Sequence, residues 1–159
     1  MIVAGTGHRP VKLGGYDEAT FGRLTALARG RLQELKPKKF ISGMALGWDQ
    51  AAATAALDLH IPLIAAVPFD GFEARWTHAQ QDRFSLLLDQ ADEVETCSPY
   101  PGQRAYQLRN EWMVDRANLM LALWDGSWGG TFNCIRYAEK MGRPVENLWD
   151  QWEAASLLV

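Results

Sequence analysis

Two rhythms of apolar and polar residues alternate along this chain. Short strand-like runs occur at 2–5 (Ile2-Val3-Ala4-Gly5), Phe40-Ile41, 62–67, 92–96, 119–124 and 145–148. Between them, apolar residues recur at helical spacing. From Glu18 to Leu35 the positions Phe21, Leu24, Leu27, Ala28, Leu32 and Leu35 fall on one side of a helix. An alanine-rich helix is predicted from Trp48 to Leu59, and one from Trp76 to Gln90 with Phe84, Leu87 and Leu88 inward. Further helices are predicted over 104–118 and 132–141, the latter stopped by Gly142-Arg143-Pro144, and a short one after the last strand.

Strand–helix alternation of this kind predicts an α/β protein: a mainly parallel sheet with helices on both faces. A length of 159 residues suits a single domain over 1–159, with no repeat or linker pattern to divide it. Ligands of such sheets bind beyond the carboxyl ends of the strands. Three glycine-bearing turns stand there: GTGHRP at 5–10, SGMALGWDQ at 42–50 and WDGSWGGT at 124–131. Each precedes a helix whose free N–H groups and positive dipole end would attract an anion.

Composition narrows the partners. A formal net charge of −3 argues against gripping a nucleic-acid backbone, so nucleic acid is not the expected partner. No run of apolar residues is long enough to span a membrane, and no signal-peptide pattern opens the chain, so a cytoplasmic location is expected. Cys97 and Cys134 lack metal spacing and are expected as free thiols; neither a metal nor a cofactor is called for. Of the seven tryptophans, Trp48, Trp76, Trp112, Trp124 and Trp128 lie in or near the turns and their helices. They serve packing or stack on a base.

In the first turn, Pro10 stands where a dinucleotide fingerprint needs its third glycine, and no Walker loop exists. Gly5, Thr6 and Gly7 would let the backbone approach a ligand, with His8 and Arg9 contacting phosphate or ribose, or alternatively capping backbone and pairing at the surface. In the second turn Ser42, Gly43, Met44, Ala45 and Gly47 precede a helix whose first turn holds Asp49. Asp49 either favours that helix end, holds the turn, or bonds a ribose hydroxyl. In the third, Gly126, Gly129, Gly130 and Thr131 would form an amide nest for phosphate. Asp125 would accept a sugar hydroxyl, act in catalysis, or bond the turn's own amides. Arg109, Asn110 and Met113 share one side of a helix and would lie over the crevice. No nucleophile–base pair stands out; Glu73 and Asp125 are the candidate catalytic carboxylates.

Taken together, GHRP at 7–10, SGMALGWDQ at 42–50, VPF at 67–69, Trp76, Ala91-Asp92, RNEWM at 109–113 and the WDG…GGT turn resemble the SLOG superfamily. This Rossmann-like group includes the Smf/DprA proteins and the Lonely Guy enzymes, and the chain looks most like its YpsA-like branch. The resemblance runs from the first strand to about Pro144. It implies a single Rossmann-like domain that binds a nucleotide or an ADP-ribose-like derivative and associates as a homodimer. It also suggests two other activities, nucleotide N-glycosidase and DprA-like single-strand DNA binding. Lonely Guy phosphoribohydrolases are similar in an arginine before a glycine-rich GT turn, matched by Arg109 and Gly130-Thr131. Their catalytic glutamate lies three residues beyond that threonine, where this chain has Cys134. A cysteine does not replace a carboxylate without strong activation, so Glu73 or Asp125 would have to serve.

Overall fold

Every apolar run becomes a strand and every helical pattern a helix. In the computed structural model, which describes residues 1–158, the order is β1 (Ile2–Gly7), α1 (Glu18–Leu35), β2 (Lys39–Ser42), α2 (Trp48–Asp58), β3 (Leu63–Val67), α3 (His78–Gln90), β4 (Glu93–Thr96), α4 (Gln103–Arg116), β5 (Leu119–Leu123), α5 (Gly130–Lys140), β6 (Val145–Asn147) and α6 (Trp149–Ser156). The strands form one sheet in the order β4-β3-β2-β1-β5-β6, and every pairing is parallel.

Successive strand residues point to opposite faces, and both faces are covered. Val3, Phe40, Leu63, Ala65, Leu121 and Leu123 enter one core, with Leu24 and Leu32 of α1, the alanines of α2, Phe84 and Leu87 of α3, and Trp152 of α6. Ala4, Ile41, Ile64, Ala66 and Met120 enter the other, with Met113 and Val114 of α4 and Cys134 and Ala138 of α5. This is why the central strands read as continuous apolar runs. The edge strand β4 is exposed along its whole length, and Glu93 and Glu95 on it discourage further pairing.

Several boundaries differ from the sequence expectation. α3 starts at His78, two residues after Trp76, because Thr77 and Gln80 form a reciprocal capping box. Trp76 instead packs edge-on against Phe72 and Phe84. α5 starts at Gly130 rather than Phe132, drawing the end of the third turn into the helix. Within the long loop after β1, Pro10–Lys12 form a 3-10 turn and Leu13 is buried.

The chain builds the sheet outward from β1 through β2 and β3 to β4, then returns along α4 to place β5 on the other side of β1. Connections therefore leave β1 and β5 towards opposite faces. Gly7 is in register with Leu123, so the two strands end together and a crevice opens beyond them.

Candidate functional site

A cleft of about 610 Å³ occupies this switch point, a size suited to a small molecule. One wall is the turn after β1, from Thr6 to Lys12; the opposite wall is Ser127 to Thr131 and the start of α5. α4 contributes Gln103, Tyr106, Gln107, Arg109, Asn110 and Met113, and the second turn contributes only Ala45 and Asp49.

The glycines divide into two kinds. A Cβ on Gly7 would stand 2.4 Å from the Trp48 ring, and one on Gly5 would stand 2.8 Å from Phe40. Gly47 has φ +94, and its Cβ would meet the His8 carbonyl oxygen at 2.6 Å. The first two turns thus interlock, with the Trp48 amide donating to the His8 carbonyl at 3.2 Å. On Gly43, a Cβ would fall 2.8 Å from Arg109 Nη1 and 2.9 Å from Asp49 Oδ2. By contrast, Cβ atoms on Gly126, Gly129 and Gly130 would meet nothing within 4 Å. α5 has no side-chain cap, so its first-turn amides and positive dipole end face the cleft at Gly129, Gly130 and Thr131.

Buried side chains tie the turns together. Arg109 Nη1 donates to the Gly43 carbonyl at 2.6 Å and Nε to Asn110 Oδ1 at 3.2 Å, while Asn110 Nδ2 donates to the Gly130 carbonyl at 3.4 Å. Ser42 Oγ donates to the Asp49 carbonyl at 2.8 Å and accepts from the Met44 amide at 3.1 Å. That bond and the Gln50 amide on the Met44 carbonyl hold Met44 at φ 63.

Two carboxylates at this edge have opposite electrostatics. Asp125 Oδ1 accepts from the Ser127 amide at 2.9 Å and from the Ser127 hydroxyl, and lies 2.7 Å from His8 Nε2. The Ser127 hydroxyl above all, then the Ser127 amide and His8, hold its carboxyl well below the usual range. His8 Nε2 is also 3.0 Å from the Asp125 amide; with a proton on Nε2 it donates to the carboxylate, and with Nε2 bare it accepts from the amide. Asp49 is only 5% exposed. Burial pushes its pKa up to about 6, against the pull of Arg109, the Ala45 amide and Arg9. Its Oδ2 accepts from the Ala45 amide at 3.3 Å, and its buried Oδ1 has no partner among the described residues.

With this geometry in place, comparison with known proteins gives the kinship. A family model described as the YspA SLOG family matches residues 3–143. The chain belongs to the YpsA family of SLOG proteins. It is 35% identical over 135 residues to the SPbeta prophage-derived protein YoqJ of Bacillus subtilis (strain 168), covering 74% of this chain and 79% of that one. It is 34% identical over 133 residues to a UPF0398 protein of Shouchella clausii (strain KSM-K16), covering 76% and 71%. Among solved structures, DNA processing protein A (DprA) from Streptococcus pneumoniae matches with TM-score 0.65 and 21% identity, over 91% of this chain and 49% of that one. DprA from Helicobacter pylori, solved for its single-stranded DNA binding mode, matches with TM-score 0.63 and 18% identity, over 92% and 64%. The chain therefore spans about half of one DprA and under two thirds of the other, and at these identities the likeness shows a shared Rossmann-like fold.

In this SLOG fold, the expected ligand residues Thr6, Gly7, His8, Arg9, Ala45, Asp49, Arg109, Asn110, Gly129, Gly130 and Thr131 all line the cleft. Gly5, Ser42, Gly43, Met44, Gly47, Asp125 and Gly126 do not; of these, Gly5, Ser42, Gly43, Met44 and Gly47 pack or brace the turns, and Asp125 holds its own turn and His8. The expectation for Glu73 also needs correction: it sits in the turn before α3, outside the lining, with its carbonyl accepting from the Trp76 amide and Gln81. Among the described residues Asp49 is the one carboxylate lining the cleft. Cys134 is fully buried, and burial pushes its thiol up to about 11, so it stays protonated there.

Sequence reasoning missed Val11, Lys12, Gln103, Tyr106, Gln107, Ser127 and Asn133 as lining residues. Gln103, Tyr106, Gln107, Asn110 and Met113 were detectable, because steps of three and four place them on one stripe of α4. Lys12 carried no such signal; the 3-10 turn brings its Nζ to Ser127 Oγ across the mouth of the cleft.

Proposed function

We propose that this cleft binds a nucleotide or nucleotide-derived anion, such as a nucleoside phosphate or an ADP-ribose-like molecule, as a sensor or sequestering protein. The observation that carries the reading is the placement of Arg9, Lys12 and Arg109 around the uncapped start of α5. Arg9 is exposed, and its guanidinium makes no hydrogen bond or ion pair among the described residues. A guanidinium free to turn and a row of amides suit a phosphate. Trp128, 80% exposed on the rim and tilted at 40° against Phe132 with ring centroids 4.7 Å apart, offers a flat face for a base.

Asp49 favours a second reading, cleavage of the ligand's N-glycosidic bond, since a carboxylate beside the sugar would stabilise positive charge developing there. The test is incubation with nucleoside monophosphates, NAD, ADP-ribose and cyclic nucleotides, followed by thermal shift and mass spectrometry of the same samples. A stabilising ligand recovered intact supports the sensor; free base plus sugar phosphate supports the enzyme; no stabilisation by any of them removes both. The DprA likeness brings back single-stranded DNA, which the acidic balance had argued against, as a competing ligand. A gel shift that persists at physiological salt would favour it over the small molecule. Homodimerisation is proposed from family kinship alone, and sedimentation at micromolar concentration tests it.

A further inference from the structure

Asp49 and Arg109 approach each other across Gly43 without joining. Each stands within 3 Å of where a Gly43 Cβ would be, at 2.9 Å for Asp49 Oδ2 and 2.8 Å for Arg109 Nη1. Yet the guanidinium spends Nη1 on the Gly43 carbonyl and Nε on Asn110, and no ion pair with Asp49 forms. Among the described residues Asp49 Oδ1 has no partner, although the residue is only 5% exposed. A buried carboxylate with an unmet lone pair is costly.

The geometry points to Asp49 as the acceptor for a sugar hydroxyl of the ligand, which makes the preferred ligand a phosphorylated sugar that retains free hydroxyls. This rests on the nucleotide reading above and assigns the sugar's contact within it. The negative charge of Asp49 repels phosphate, which goes to Arg9 and the start of α5. An aromatic base goes to the rim at Trp128. The sugar goes to Asp49, where a neutral O–H donor is what Oδ1 lacks. A ligand cation is disfavoured there by Arg109 and Arg9, the two charges that act on Asp49.

The test compares adenosine 5′-monophosphate with its 2′,3′-dideoxy analogue by calorimetry, on the wild type and on Asp49→Asn. Both nucleotides carry the same base and phosphate, so the difference isolates the hydroxyls. The wild type is expected to prefer the ribonucleotide by about tenfold or more, the scale of one hydrogen bond to a charged group. Asp49→Asn is expected to bind both alike, near the affinity of the wild type for the dideoxy form, with a melting temperature no lower than wild type. Equal binding of the two nucleotides by the wild type, or a preference kept by Asp49→Asn, overturns the assignment while leaving the nucleotide site intact. Failure of both nucleotides to bind the wild type instead overturns the reading of the cleft on which the assignment rests.

Discussion

The second turn, at 42–50, and the third, at 124–131, look alike as sequence: small residues and glycines between a strand and a helix. In the fold they do opposite things. The second turn is packed shut, with Gly43 against Arg109 and Asp49 and Gly47 against the His8 carbonyl. The third leaves Gly129 and Gly130 open along the cleft. Absence of a side chain thus serves neighbouring protein in one turn and access in the other. Only the surroundings of each glycine distinguish the two.

Substitutions that add a Cβ separate these roles. Gly47→Val carries the largest expected effect, about 3 kcal/mol or more of lost stability by urea unfolding, because it combines a clash at 2.6 Å with φ +94. Gly43→Val follows at about 2 kcal/mol, from displacement of Arg109 and Asp49, so its harm to binding comes through the fold. At the small end, Gly130→Val changes stability by about 0.5 kcal/mol or less and weakens nucleotide binding measured by thermal shift. If Gly130→Val unfolds the protein as readily as Gly47→Val, the distinction between the turns collapses.

Asp49→Asn sharpens the comparison from the charged side and ranks with Gly43→Val in size. The folded pKa of Asp49, about 6, lies above its ordinary value of 3.8, so ionisation costs the native state stability. The wild type carries no such penalty below about pH 4, loses stability as the pH rises towards 6, and stays penalised above it. Asp49→Asn is therefore expected to be more stable than wild type at pH 7.5 by about 2–3 kcal/mol, the advantage vanishing near pH 4. Chemical denaturation across that range checks the sign. A variant less stable than wild type at pH 7.5 would make Asp49 a structural brace for the second turn.

Much of the architecture was legible because its signals are local. The span of α1 from Glu18 to Leu35 followed from apolar spacing alone, and the strands from runs bounded by Gly and Pro. The start of α3 was misjudged because Trp76 looks helical in sequence, while Thr77 and Gln80 close a capping box one residue later. The candidate site was legible at the turns and on α4, where motif and helical spacing mark positions directly. It was not legible at Glu73 and Asp125, where several roles stayed open, since which carboxylate lines the cleft depends on how loops far apart in sequence meet.

By itself the sequence determined the α/β alternation, the two-faced sheet, the three turns at its carboxyl edge and the kinship with SLOG proteins, because hydrophobic period and turn chemistry act over a few residues. Only the tertiary structure decided that Asp125 is consumed by Ser127 and His8. It also decided that Asp49 is buried with an unmet oxygen beside Arg109, and that the glycines of the second turn hold the protein together. Burial, ionisation and steric fit are set by atoms brought together from distant parts of the chain, and no local pattern encodes them.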